Sequence, residues 1–381
     1  MSNAIAVNLR RLRKLRALTQ DQLAQTASIS RVAYRSIETG KAAPRSRTLD
    51  ALAHALKVDV FALVAPAPAP KTLRFRSNTT LSAQERAERE QLVVETLHWL
   101  ADFGELEALL NDRITAVLPH PQSRSHDIGR LAEDLRVRAF KIATTGWQPE
   151  ICDVLEQGGI KVRIVRSTIK GVFGFSLSAQ DGGPAVVVNT HESIPVERRI
   201  FTAAHELGHL ILHQDSFDPT VETEDAKQEH EADMFASHFL MPDAQFKEEW
   251  DRNRGLDWVD RTLKTKRVFR VSWLTVLYRL CEMGAADKSR VFWQFRSAYK
   301  AKYDKVIASK SEPEPGDPAS PTRPNQEPAR LSDFDFCEDR FLRLVRVALE
   351  KDEISVSRAA EMLAKPVQEV RSMLAEWEQH K

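Results

Sequence analysis

The sequence predicts a multidomain, mainly α-helical protein with one small β-sheet in its central part. The chain has 381 residues, which is enough for two or three domains. Proline-rich stretches at 65–70 and 309–330 separate segments whose apolar residues recur at helical spacing. Three short apolar runs, at 160–165, 172–177 and 185–189, have the length of strands and are separated by turns that contain glycine.

These features divide the chain into five predicted segments. The stretch 309–330 carries six prolines and almost no apolar residues, so burial cannot offset the entropy of ordering it. The predicted segments are an all-α bundle at 1–65, a Pro/Ala linker at 66–80, an α+β domain with flanking helices at 81–300, a disordered proline-rich linker at 301–331 and a small helical module at 332–381.

Composition excludes several classes of protein. A hydrophobic fraction of 42% and a charged fraction of 29% are ordinary for a soluble globular protein. No stretch approaches the roughly 20 apolar residues of a membrane span, and the basic start lacks the apolar run of a signal peptide. The three cysteines are far apart, which suits a reducing compartment. We therefore predict a cytoplasmic protein that has no membrane partner.

Positive charge is concentrated at the beginning of the chain. The whole sequence has a net charge of +1, whereas residues 1–65 contain eleven basic and four acidic residues, a net charge of +7. Such a local excess indicates a polyanionic partner for this segment alone.

The same segment contains start and stop signals for two short helices. Thr19 and Gln22 form a capping-box pattern, Ser30 can cap the next helix, and Gly40 can end it in the left-handed conformation. Ile29, Tyr34 and Ile37 then face the core. The side chains left facing outward, able to contact base edges and phosphates, are Arg31, Val32, Arg35 and Ser36.

This stretch resembles the helix-turn-helix of the XRE/Cro repressor family over roughly the first 65 residues. The resemblance implies an operator in double-stranded DNA, with a homodimer on paired half-sites. It places Arg10 and Gln20 at phosphate-contacting positions, and Arg31, Val32 and Ser36 where the family reads bases; Ser30 and Arg35 complete the candidate contact set. The alternatives are a small bundle with a solvated basic face and an antitoxin-like use of the same fold.

A second motif, "FTAAHELGHLILH" at 201–213, lies on a predicted amphipathic helix. His205 and His209 are four residues apart, so both project from one face at the spacing that two ligands of one zinc ion need. Glu206 lies beside the first histidine and is suited to accept a proton from a water molecule on the metal.

A catalytic zinc ion needs a third protein ligand. The stretch "EHEADMFASHFLMP" at 229–242 predicts a helix whose apolar side lies nearer to Glu229 than to Glu231. Asp233, four residues after Glu229, is suited to accept the spare ring N–H of a ligating histidine. Glu229 is the predicted third ligand, and Glu231 remains the alternative.

Two other residues compete for the same role. Asp215 lies six residues after His209, but the zinc peptidases that use this spacing need a glycine at the position that Leu212 occupies here. His213 continues the i, i+4 series, and a histidine there is more often a neighbour of a ligand than a ligand.

Together, "ERRIFTAAHELGHLILH" and "EHEADMFASHFLMP" resemble the ImmA/IrrE-type metallopeptidases, which are gluzincin-like. The likeness covers about 125–245 and includes the strand pattern before the active-site helix. It implies Zn²⁺ held by His205, His209 and Glu229, with Glu206 as catalytic acid/base. It also implies a protein substrate, typically a DNA-binding repressor or antirepressor in stress or mobile-element control.

We therefore predict a DNA-binding transcriptional regulator that carries a zinc-dependent endopeptidase. The alternative is an XRE-family repressor or antitoxin whose peptidase-like domain only senses a signal. The segment 353–377 has a helix–break–helix layout that resembles a further small helix-turn-helix, and its role stays open.

Overall fold

A computed structural model describes residues 2–16, 18–58, 60–64, 73–74, 82–116, 118, 127–142, 149–169, 171–217, 225–284, 287–308, 311–312 and 331–379. The helices are α1 (Ser2–Leu15), α2 (Gln20–Thr26), α3 (Arg31–Glu38), α4 (Ser46–Leu56), α5 (Val60–Val64), α6 (Ala83–Leu109), α7 (Ile128–Arg138), α8 (Ile151–Gln157), α9 (Val196–Leu212), α10 (Ala226–Leu240), α11 (Asp243–Arg252), α12 (Trp258–Phe269), α13 (Trp273–Glu282), α14 (Lys288–Tyr303), α15 (Arg340–Glu350), α16 (Val356–Met362) and α17 (Val367–Gln379). The strands are β1 (Leu73–Arg74), β2 (Lys161–Val165), β3 (Gly174–Leu177) and β4 (Ala185–Asn189). The predicted mainly α-helical fold with a small sheet is confirmed.

Contacts between residues divide the chain into two compact units. The first unit comprises Met1–Lys71, Leu81–Arg113 and Asp339–Lys381, and the second comprises Thr72–Thr80 and Ile114–Glu338. This grouping differs from the linear boundaries expected from the sequence, because it joins α6 to the two ends of the chain. Within the described ranges, no helix combines the length and the apolar character that crossing a membrane requires.

The helices α2 and α3 begin and end where the sequence signals predict. The hydroxyl of Thr19 accepts the N–H of Gln22, whose side chain in turn accepts the N–H of Thr19, which completes the capping box. Ser30 Oγ accepts the N–H of Ala33 and caps α3. Gly40 follows α3 with a φ of 71°, a conformation that costs glycine little.

An apolar core holds α1–α5 together in the first unit. Tyr34 and Ile37 are buried in it as predicted, and Ile29 packs against it. Burial of these side chains is what stabilises such short helices, because a helix of seven or eight residues is marginal alone. The larger core residues are Leu9, Leu12, Leu23, Tyr34, Leu52, Leu56 and Leu63.

The long helix α6 packs against α15, although the two are more than 200 residues apart in sequence. The rings of Trp99, Phe103 and Phe341 have centroids 5.2–5.5 Å from one another. The buried guanidinium of Arg340 donates to the buried carboxylate of Glu107 at 2.6 Å, so neither charge is left uncompensated.

The second unit contains a four-stranded sheet in the order β1-β3-β4-β2. β2 pairs parallel with β4, while β3 pairs antiparallel with both β4 and β1. Every residue of β4 is buried, as expected for a central strand with both faces covered. The helix α9 packs against β3 and β4, and this contact places the histidine motif beside the sheet.

The structure differs from the predicted linkers at two places. The expected Pro/Ala linker contributes β1, which pairs with β3. The linker predicted at 301–331 starts too early, because α14 continues to Tyr303 and Ile307 is buried in the core. The packed core therefore continues past the end of α14 as far as Ile307. The proline-rich stretch 313–330 lies outside the described residues.

Candidate metal centre and DNA-reading face

Two packed helices, α9 and α10, carry the candidate metal ligands. A Cβ added to Gly208 would lie 3.2 Å from Phe235 Cδ1 and 3.3 Å from Ala232 Cα, so the glycine lets the two backbones approach closely. This approach brings Glu229, in the first turn of α10, to the histidines of α9.

His205, His209 and Glu229 converge within bonding reach of one small cation. The Nε2 atoms of His205 and His209 are 3.0 Å apart. One oxygen of Glu229 lies 3.1 Å from Nε2 of His205, and the other lies 3.4 Å from Nε2 of His209. These three residues form one of two groups among the described residues whose donor atoms are close enough to share a metal.

The electrostatics of this cluster favour positive charge. Burial alone would lower the pKa of His205, but hydrogen bonds to Asp233 and Glu229 outweigh it and raise the pKa to about 10. Burial would raise the pKa of Glu229, yet its hydrogen bonds with His205 and His209 hold it well below the usual range. A cluster that stabilises a proton so strongly also suits a metal cation.

Glu206 is held beside the metal-binding face by the sheet. Ser176 on β3 donates its hydroxyl to Oε2 of Glu206 at 2.6 Å, and both residues are buried. A Cβ at Gly174, two residues earlier, would lie 2.6 Å from Thr202 Cγ2, which shows how tightly β3 lies against α9. Ser176 thus holds one oxygen of Glu206 in place, so β3 determines how this carboxylate is oriented.

Comparison with known proteins identifies two domains in the chain. A family model described as the IrrE N-terminal-like domain of the M78 peptidases matches residues 155–281, and a helix-turn-helix model matches residues 9–63. The chain carries an IrrE N-terminal-like domain behind a helix-turn-helix domain. Both resemblances inferred from the motifs are confirmed.

More distant comparisons add little. No curated protein matches the chain. Among solved structures, a Mycobacterium tuberculosis transcriptional regulator is 21% identical, with a TM-score of 0.30 over 47% of this chain and 51% of the regulator. The chain thus spans about half the length of that protein, and a likeness this distant carries no further information about the fold.

In the IrrE N-terminal-like domain, carboxylates around the candidate ligands orient the histidine rings and select their tautomers. Asp233 Oδ1 lies 2.8 Å from Nδ1 of His205 and accepts its N–H. Glu231 Oε2 lies 2.9 Å from Nε2 of His213, and Nδ1 of His213 lies 2.9 Å from Nδ1 of His209. With one proton on each ring, His213 donates to Glu231 and accepts from His209.

A metal ion that displaces the extra proton of His205 would meet Nε2 of both His205 and His209 as donor atoms. These two nitrogens are 3.0 Å apart, and a shared proton or a metal cation removes the repulsion between their lone pairs. Two imidazole nitrogens with one carboxylate are a donor set that zinc binds in catalytic sites, so the residues present fit this metal.

The other candidate ligands do not occupy equivalent positions in the structure. Glu231 contacts His213 and not the pair of Nε2 atoms, and His213 supports His209 from its far side. The side chain of Asp215 lies outside the described part of the structure. Glu229 is therefore the carboxylate that the fold brings to both histidines, and its role as ligand stays a prediction.

The second cluster of possible metal donors is Glu133, His238 and Asp243. A cation already lies there, because the buried guanidinium of Arg279 donates to Nε2 of His238 at 2.9 Å and pairs with Asp243. We interpret this cluster as a structural ion network that ties α10, α11 and α13 together.

In the helix-turn-helix domain, the predicted base-reading residues lie on the outer side of α3. Val32 is 79% exposed, and Arg31 and Arg35 are exposed as well, while Ser36 is half-buried. Arg31 Nε forms an ion pair of 3.0 Å with Asp21, but both side chains are more than half exposed. An exposed pair of this kind contributes about 0–1 kcal/mol, so it leaves Arg31 free to exchange partners.

The predicted phosphate contacts have partners inside the protein. Gln20 donates to the buried carboxylate of Glu38, which also accepts from Tyr34 and Arg13. Arg10 lies 3.5 Å from both the carbonyl of Glu38 and the side chain of Gln91. Their contacts with DNA stay a prediction.

Two neighbours of the candidate sites were missed from the sequence, Ser176 and Asp21, whereas His213 contacts His209 as a neighbour of a ligand, as expected. Only Ser176 carried a local signal, since it is a lone hydroxyl in the apolar run "VFGFSL". A polar side chain on the buried face of a strand needs a hydrogen-bond partner, and Glu206 is that partner here.

Proposed function

We propose that this protein is a zinc-dependent endopeptidase joined to a DNA-binding helix-turn-helix domain, and that it cleaves a DNA-binding repressor. The observation that carries the proposal is the convergence of Nε2 of His205, Nε2 of His209 and the carboxylate of Glu229, with Glu206 next to His205 in the chain. A metal site that only stabilised the fold would be closed by a fourth protein ligand, whereas three ligands are typical of catalytic sites.

In this proposal His205, His209 and Glu229 hold the zinc ion. Bound zinc supplies a Lewis acid, which makes water a better nucleophile near neutral pH and polarises a carbonyl group. Glu206 accepts the proton of the attacking water and then gives it to the leaving amine. The hydroxyl of Ser176, which donates to Oε2 of Glu206, would hold this carboxylate in place during the proton transfer.

Hydrogen bonds from neighbouring side chains would keep the two histidines in the tautomer that binds a metal ion. Asp233 fixes the tautomer of His205, and the chain from Glu231 through His213 fixes that of His209. Such partners orient the rings and raise their basicity as ligands. The DNA-binding domain would raise the local concentration of the peptidase beside a repressor bound to nearby DNA.

The test is metal content and cleavage of purified protein. We expect about one zinc per chain, the number that one three-ligand site binds. We also expect cleavage of at least one member of a panel of purified helix-turn-helix repressors. A chelator should stop cleavage, and added zinc should restore it. Protein that carries zinc but cleaves no repressor and no peptide in a mixed library would leave the sensor role as the better account.

DNA reading is tested separately with Arg31→Ala. If Arg31 reads a guanine, the substitution should relax preference at one operator position by about 1–3 kcal/mol while leaving the rest of the site unchanged. Binding-site selection from randomised DNA measures this. Arg86→Ala on α6 removes the same charge outside the helix-turn-helix domain and should leave the preference intact. An unaltered site in Arg31→Ala would contradict the assignment of α3 as the reading helix.

A further inference from the structure

The outer edge of β3 is covered by a short strand from the linker. Leu73 pairs with Leu177 and Arg74 pairs with Ser176 in an antiparallel register. The strand order β1-β3-β4-β2 makes β1 the outermost strand on this side. Without it, β3 would present a row of open backbone N–H and C=O groups, which is a template for another extended chain.

This covering strand lies outside the region that the peptidase family model matches. The peptidase family model matches residues 155–281 and the helix-turn-helix model matches residues 9–63, so β1 lies between the two matched regions. It follows the "APAPAP" stretch, whose composition favours an extended backbone. The linker thus supplies a strand to a sheet that already has three strands of its own.

The edge that β1 covers lies next to the proposed catalytic carboxylate. Ser176 pairs with Arg74 on one side and donates to Glu206 through its side chain. Paired residues in antiparallel strands have Cα atoms about 4.5–5.5 Å apart. The backbone of β1 is therefore only one strand spacing from the residue that holds Glu206.

A peptide that is to be cleaved must present an extended backbone near Glu206. Addition of a strand to a free sheet edge is a general way to hold such a peptide, because main-chain hydrogen bonds need no particular sequence. The edge of β3 next to Ser176 offers these bonds. It can hold one strand at a time.

We propose that the linker strand Leu73–Arg74 occupies the position of a peptide substrate, so that an incoming peptide must displace it. The occupant belongs to the same chain, so an incoming peptide competes with an intramolecular contact, which raises the effective concentration of the occupant. Two residues make few hydrogen bonds, so the strand is displaced by a peptide that pairs over a longer stretch. Inhibition of cleavage by this strand rests on the proposed peptidase function. The position of the strand on the edge of β3 does not.

The occupancy is tested in full-length protein that carries Glu206→Gln to prevent cleavage. In this background, Leu73→Pro with Arg74→Pro removes the N–H donors of β1, whereas Leu73→Ala with Arg74→Ala keeps them. The probe is a fluorescein-labelled synthetic peptide of residues 70–80. Fluorescence anisotropy should show at least tenfold tighter binding to the proline variant than to the parent or the alanine variant. A control probe with proline in place of Leu73 and Arg74 should bind to neither the parent nor the two variants.

A second variant guards against effects of proline on folding. Replacing residues 72–75 with an equal length of glycine and serine should open the same edge, with the thermal unfolding midpoint kept as a check. Equal peptide affinity in the parent and both opened variants would overturn the proposal.

With Glu206 restored, both opened variants should cleave a peptide library with at least a tenfold lower KM and an unchanged kcat. Tighter binding of the probe peptide without any change in KM would also overturn the proposal, because a peptide on the edge of β3 would then not be presented to Glu206. Absence of cleavage in every variant would instead count against the peptidase function. The anisotropy result would still decide whether β1 occupies a peptide-binding edge of β3.

Discussion

Replacing Glu206 with glutamine is expected to abolish cleavage and to leave zinc bound. The substitution removes the group that accepts the proton from water, and general acid–base catalysis of this kind contributes about 10²–10⁴-fold. The zinc content should not change, because the ligand atoms belong to His205, His209 and Glu229. Single-turnover cleavage rates and elemental analysis of the same protein sample measure the two effects.

The fold should tolerate this change. Glutamine keeps a carbonyl oxygen that can accept the hydroxyl of Ser176, so the buried contact between α9 and β3 is retained. A cleavage rate equal to that of the parent protein would refute the role of Glu206. Lost cleavage together with unaltered control of target genes would favour the sensor hypothesis, in which the domain is not used as a peptidase.

Much of the candidate metal centre could be predicted because it is encoded locally. His205 and His209 share one helix, so the spacing alone brings them together. The side of α10 that carries Glu229 could be read from its apolar residues, since a helix turns its apolar side toward its neighbour. The caps of α2 and α3 are also local, and they form where Thr19 and Ser30 predict.

The contacts that could not be predicted join distant parts of the chain. Ser176 meets Glu206 only because β3 packs against α9, and nothing in either segment specifies that register. The partner of Glu231 is His213, a choice that depends on the rotation and spacing of α10 against α9 at Gly208. Arg340 and Glu107 pair across 233 positions, so no sequence window could contain both.

The short strand β1 illustrates a different limit. Two residues are too few to show the alternation that identifies a strand, and the stretch before them predicts a spacer. Its pairing is determined by the open edge of β3, which exists only once β3 and β4 have formed. The sequence therefore predicted the linker but not its use as a strand.

The two glutamates of α10 should differ sharply when each is replaced with glutamine. Glu229→Gln removes the carboxylate that contacts Nε2 of both histidines, so zinc affinity should fall by more than the roughly 10–100-fold that loss of an outer partner costs. Glu231→Gln leaves that carboxylate in place and weakens only the support of His213, so the loss should stay within that range. Competition with a chelating dye at fixed pH measures both dissociation constants.

This pair of variants is matched, because each removes one charge from the same helix by the same chemical change. Both carboxylates are about one-quarter exposed, so burial does not separate them. The two carboxylates differ in the atoms that they contact. Glu229 contacts Nε2 of the candidate ligand histidines, whereas Glu231 contacts Nε2 of His213, which supports His209. If Glu231→Gln lost zinc and Glu229→Gln kept it, the ligand assignment would be reversed, and the alternative left open by the sequence would be the right one.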